Sequence, residues 1–82
     1  MAYTLQKLAS GSYDLLLDSQ VMGGVVQNIH PGGERGGWRV ELLAEVPAIK
    51  RPAPFTKQEH VFPTLEAAMT WLAVPRGIEG PR

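Results

Sequence analysis

Apolar and polar side chains alternate through the first half of this 82-residue chain, and helical spacing takes over only near residue 65. Tyr3 and Leu5 alternate with Thr4 and Gln6. After Gly11-Ser12, Tyr13, Leu15 and Leu17 share one face of a second extended run, Tyr13 to Asp18, because a period of two puts alternate residues on one side of a strand. Asp18-Ser19-Gln20 reads as a turn. Val21 to Ile29 resumes the extended pattern around Gly23-Gly24, a pair that inside a strand marks a bulge or the close approach of another backbone. His30 to Gly37 reads as a wide, mobile connection. Trp38 to Leu43 reads as the fourth strand, with Trp38, Val40 and Leu42 facing inward. Parallel pairs need long crossovers that this spacing does not provide, so the strands form an antiparallel meander.

Prolines between Pro47 and Pro54 deny both helix interior and central strand, which predicts a loop. Lys57 to Phe62 runs extended and returns the chain to the sheet. Thr64 is placed to cap a helix, with Glu66 in its first turn complementing the dipole. Leu65, Ala68, Met69 and Leu72 fall at i, i+3, i+4 and i+7 and form one apolar stripe, with Trp71 at its margin. Pro75 is expected to end the helix. Two to three turns are marginal alone in water, so this stripe must lie on the sheet. The expected fold is α+β: a four-stranded antiparallel β-meander with one C-terminal α-helix packed on one face. Residues 1–74 make one compact domain, and residues 75–82, which lack any period, a disordered tail. The expected core is Tyr3, Leu5, Tyr13, Leu15, Leu17, Val25, Trp38, Val40, Leu42, Phe62, Leu65, Met69 and Leu72.

Composition narrows the function classes. A chain of this length makes one domain and buries a modest share of its surface. With no cysteine, disulfides and thiolate metal sites are excluded, and a homodimer becomes the simplest way to hide further apolar surface. Eight basic residues balance eight acidic ones, whereas nucleic-acid binders usually concentrate positive charge. The N-terminus has no signal-peptide h-region and no apolar run is long enough to span a bilayer, which predicts a soluble, cytoplasmic chain away from membranes.

Candidate chemistry is sparse. Gly32-Gly33 and Gly36-Gly37 open onto a strand rather than a helix and lack Gly-Lys-Ser/Thr, so they read as a hairpin loop rather than a phosphate cradle. His30 and His60 are far apart without metal-ligand spacing. Asp14 and Asp18 lie about 13 Å apart at ~3.3 Å per residue, too far for a glycosidase pair. No nucleophile elbow occurs. The chain is therefore read as non-catalytic, with no cofactor and no metal. The segment from Lys50 through Arg51 and Phe55 to Lys57 is the one local basic cluster. It reads either as a phosphate contact with Phe55 as a stacking platform, or as a solvated proline-rich loop with Phe55 tucked under the core.

Trp38 on the last strand followed by Phe62-x-Thr64-x-Glu66-Ala67-x-x-x-Trp71-Leu72 resembles the end of AP2-like and integrase arm-type DNA-binding domains. The resemblance covers roughly the second half of the chain and rests mostly on core positions. It implies a small sheet set against one helix, with the exposed sheet face entering the major groove. Here that face would carry Thr4, Gln6, Asp14, Leu16, Asp18, Arg39, Glu41 and Leu43, where phosphates would meet one base against three acids. Arg39 would be the group that meets a base or phosphate. Leu16 and Leu43, framed by charges of both signs, resemble a modest protein-contact surface. The leading expectation is a small non-catalytic interaction module that binds a protein or a second copy of itself. The alternative is nucleic-acid binding through Arg39, Lys50, Arg51 and Lys57.

Overall fold

The computed structural model describes residues 3–33 and 35–74. Within them lie β1 (Tyr3–Ala9), β2 (Ser12–Leu17), β3 (Gln20–Ile29), β4 (Arg35–Leu42), a single 3₁₀ turn at Ala48–Lys50, β5 (Glu59–Phe62) and α1 (Leu65–Leu72). The strands form one antiparallel sheet in the order β1-β2-β3-β4-β5. The meander and the single C-terminal helix are as the residue pattern predicts, but the strands number five rather than four. The segment expected to return to the sheet pairs fully with β4, Trp38 opposite Phe62 and Val40 opposite His60. A histidine at an inward position hides the alternation that would otherwise mark this short strand.

Each tight reversal has its own local cause. Ser10-Gly11 joins β1 to β2 with Gly11 at φ +80, a conformation that costs glycine little. Asp18 and Ser19 both take positive φ (51 and 70) between the paired residues Leu17 and Gln20. Two such residues make a type I′ turn, whose twist matches that of the flanking strands. Asp18 thus belongs to the turn and not to the strand face on which its spacing from Asp14 had set it. The glycine pair in β3 does what its position predicts. The register shifts opposite Leu15 and Leu16, and a Cβ on Gly23 would fall on the carbonyl oxygen of Glu41.

β4 begins at Arg35 rather than Trp38, so Gly36-Gly37 are strand residues and not part of a mobile connection. Their lack of a side chain serves close approach. A Cβ on Gly37 would sit 2.5 Å from the Phe62 carbonyl oxygen, and one on Gly36 2.5 Å from His30 Nε2.

The core lies on one sheet face, where Tyr3, Leu5, Tyr13, Leu15, Leu17, Val25, Val40 and Leu42 are buried. Trp38, Phe62 and Leu65 of the expected core are partly buried against it, while Phe55, Ala68 and Val74 join it. α1 starts as expected: the Thr64 hydroxyl accepts the Ala67 N–H at 3.1 Å, with Glu66 in the first turn. It ends at Leu72, three residues before Pro75. Ala73 adopts φ 59, ψ 36, its N–H bonds Thr70 O at 3.1 Å, and the Val74 N–H bonds Met69 O at 2.9 Å. That pair of bonds is a Schellman motif with alanine in the place usually held by glycine, and Val74 packs back as such motifs do. Residues 75–82, the expected tail, lie outside the described residues.

Helix α1 packs over β4 and β5. Eight residues give a helix of ~12 Å, while five strands at ~4.8 Å spacing extend ~19 Å. The helix therefore leaves part of the core face uncovered. Phe55 extends the cover, with its ring centroid 6.2 Å from Tyr3 on one side and 5.0 Å from Trp71 on the other.

Candidate interaction surface

Residues 43–58, between β4 and β5, form a folded loop held from three points. Gln58 clamps its first part: Nε2 donates to the carbonyls of Leu42 and Ala44, and Oε1 accepts the Val46 N–H at 3.1 Å. Tyr3 reaches across from β1 and donates its hydroxyl to Ala53 O at 2.7 Å. His60 holds the last part, its Nε2 accepting the N–H groups of Thr56 and Lys57, each at 3.2 Å. Long loops without regular structure inside small domains are uncommon unless they have a role or are disordered, and this one is stapled.

Between the first part of that loop and the β2–β3 bulge lies an apolar cleft of about 250 Å³, lined by Val21, Met22, Leu43, Val46, Lys50 and Pro52. Leu43 is 70% exposed, Val21 49%, and Ile49, beside Lys50 in the 3₁₀ turn, 92%. Small-molecule pockets usually enclose ~300–1,000 Å³ with several convergent polar groups. An open apolar cleft of this size, with Lys50 the one charged residue on its border, suits one or two side chains. A shallower depression of about 380 Å³ lies beside Tyr3, Pro54 and Trp71, where the one titratable side chain, Tyr3, is already bonded to Ala53.

The residues singled out in the sequence separate into groups. Leu43 lines the cleft, and its N–H bonds Met22 O at 3.0 Å. Leu16 is half-buried and pairs with Val21, so the bulge brings Leu16 and Leu43 to one end of the sheet. Lys50 joins them at the cleft. Arg51 is turned back into the loop, Nη1 donating to Thr56 O at 3.1 Å, and Lys57 is exposed. Phe55 is 5% exposed, so it has no face free to stack on a base; of its two readings, the packed one describes it. Arg39 stands on the open face with Nε 3.5 Å from Glu41 and 3.8 Å from Glu59. Those half-exposed pairs are worth at most about 1 kcal/mol, but they set two carboxylates around the cation that a phosphate would need.

Val21, Met22, Val46 and Ile49 were not among the expected contact residues. Val21 and Met22 carried a signal, because the adjacent glycine pair predicts a bulge that can turn a side chain off its strand face. Nothing in the residue pattern marked Val46 or Ile49.

Among the described residues two ionisable groups are displaced from their ordinary values. Burial raises Tyr3. Burial first, then the nearby charges of Lys57 and Arg51, lowers His60. Among the described residues no cluster of three His, Asp or Glu side chains could hold a metal, and no helix is long and apolar enough to cross a membrane. No protein-family model, no curated protein and no solved structure matches this chain.

Proposed function

We propose that this chain is a small non-catalytic interaction module that seats an apolar segment of another protein in the cleft between Val21 and Leu43, with a carboxylate of that segment beside Lys50. The observation that carries the reading is the pairing of exposed Val21 and Leu43 with Met22 and Val46 around one apolar cleft that Lys50 borders. Single exposed leucines are ordinary on protein surfaces, whereas apolar side chains grouped around a concavity mark contact sites. The Gln58 clamp supports it further, since a loop already ordered loses less entropy on binding.

Leu43→Asp tests it. Leu43 is exposed, so stability should change by less than about 0.5 kcal/mol. Affinity for short peptides that pair an aliphatic side chain with a neighbouring Asp or Glu should fall at least ~10-fold, or about 1.4 kcal/mol. A peptide panel that shows no binding even at about millimolar concentration, or binding indifferent to the substitution, would sink the reading. Sedimentation across a concentration series separates the occupants: a mass that rises with concentration and stays monomeric in Leu43→Asp makes a second copy the partner.

A second reading, nucleic-acid binding, draws on the placement of Lys50, Arg51 and Lys57 in one loop, and the resemblance to AP2-like and integrase arm-type domains belongs with it. Against it stand the balanced net charge and the two carboxylates beside Arg39. Amide shifts on Lys50, Arg51 and Lys57 with a short duplex, fading as salt is added, would move the conclusion here.

A further inference from the structure

We propose that His60 is a proton-operated latch on the 43–58 loop: its neutral ring holds the chain at Thr56 and Lys57, and protonation frees that part of the loop and reshapes the cleft lined by the other part, a regulation that rests on the docking reading of that cleft.

The latch stands on hydrogen-bond geometry. Two backbone N–H groups, from Thr56 and Lys57, converge on Nε2 at 3.2 Å each. An imidazole nitrogen accepts only when it carries no proton, so the ring must be neutral with its hydrogen on Nδ1. Protonation puts an N–H on Nε2 that faces two others. Both hydrogen bonds are lost and the three hydrogens repel.

Among the described residues the charges that act on the ring are both positive, and the aromatic rings beside it offer an imidazolium only a modest attraction. From the loop, the charged groups are Lys57 and Arg51, both cationic. From α1 the ring meets Trp71 at a centroid distance of 4.5 Å, and from the loop Phe55 at 5.8 Å. Its cross-strand partner on β4 is Val40. Tyr3, with its raised value, faces Phe55. Glu41 and Glu59 pair with each other and alternate with Val40 and His60 along β4 and β5, so they lie on the opposite sheet face. Burial and the two cations accordingly hold His60 below its ordinary 6.5. The sign follows from proton counting: the unfolded ring takes up its proton first, so this contribution is complete above pH 6.5 and is lost as pH falls below it through the folded value.

The path to the cleft is short. Thr56 O holds Arg51 Nη1 at 3.1 Å, and the Phe55 N–H bonds Pro52 O at 2.9 Å. Pro52 and Lys50 are cleft residues, so loosening Thr56 releases the tie that fixes Arg51 between them.

The test is a ¹⁵N NMR titration of the free chain from about pH 8 to about pH 5, following the His60 ring nitrogens and the loop amides. The expected result is a ring protonated on Nδ1 at the alkaline end, with a midpoint below 6.5. The Thr56 and Lys57 amides shift in step with the ring and lose roughly tenfold in exchange protection, and the Lys50 and Arg51 amides share the midpoint. His60→Gln, whose Oε1 can accept without titrating, should keep the amides in place and flatten their pH response. If that variant does not fold, the wild-type titration alone decides. A ring that titrates at 6.5 or above, an Nε2-protonated tautomer, or Thr56 and Lys57 amides unmoved while the ring titrates would each overturn the latch. Since no partner is present, those failures say nothing about docking. Loss of docking at about pH 8, where the latch is closed, would instead sink the docking reading and the regulatory half of this proposal.

Discussion

Strands β1 to β3 reverse direction twice through two-residue turns, each settled by the residues at the turn itself. The loop 43–58 returns the chain from β4 to β5, and its ties come from Tyr3, Gln58 and His60, side chains of which one lies fifty residues away. Both regions are ordered, but by opposite means. The hairpins are fixed by backbone periodicity and positive-φ positions, so their information is local. The loop is fixed by side-chain hydrogen bonds, two of its anchors lying on β1 and β5 and one at its own end, and by one buried ring. A fold of this size can thus split its work, with a sheet that assembles itself and a loop that the sheet must hold.

The largest expected effect breaks the loop's part in the core. Phe55→Ala should cost about 3–5 kcal/mol, a large share of the roughly 4–12 kcal/mol a domain of this length commands. Ile49→Ala, on the same loop but 92% exposed, should change stability by less than about 0.5 kcal/mol. Urea unfolding of both variants reads the difference. A loss below about 1 kcal/mol for Phe55→Ala would mean that the loop lies on the core without closing it, and the comparison would lose its energetic half.

What the residue pattern could tell follows the same division. Wherever a period of two or a positive-φ turn governs, the pattern gave the element to within a residue at each end: Tyr3–Leu8 for a strand that runs Tyr3–Ala9, Tyr13–Asp18 for one that runs Ser12–Leu17, the bulge at Gly23, the stripe on Leu65–Leu72. Where a long-range contact governs, it did not. His60 breaks the apolar alternation of β5, so a paired strand reads as a mere extended return. Gly36-Gly37 read as flexible because the backbone of Phe62 and the ring of His30 that crowd them arrive from elsewhere in the chain. Of the candidate surface, Leu16, Leu43 and Lys50 were legible as residues, but the cleft joining Leu43 and Lys50 was not. It exists because Gln58 folds Ala44 and Val46 back against the bulge, and a glutamine before a strand announces no such role.

Gln58→Ala sharpens that point at intermediate magnitude. It removes the bonds to Leu42 O, Ala44 O and the Val46 N–H, for a loss of about 1–3 kcal/mol. The loss should be localised. Hydrogen exchange should speed at the Val46 amide and its neighbours, while the β1–β3 amides keep their protection relative to global unfolding. Uniform acceleration would show that loop and meander open as one unit, and the division between them would be structural without being energetic.

The smallest effect has the opposite sign. Ala73 closes α1 in the left-handed region because the Schellman bonds to Met69 and Thr70 and the buried Val74 fix it there. A Cβ in that region costs about 1–2 kcal/mol, partly offset because glycine gives the unfolded chain more freedom to lose. Ala73→Gly should therefore stabilise by roughly 0.5–1 kcal/mol, raising Tm by ~4 °C. The helix end then belongs with the loop: its conformation is imposed by contacts against local preference, and relieving that preference leaves the contacts in place. A lower Tm would mean that the helix stop depends on the alanine methyl itself, and Ala73 would have to be counted among the packed residues of the core.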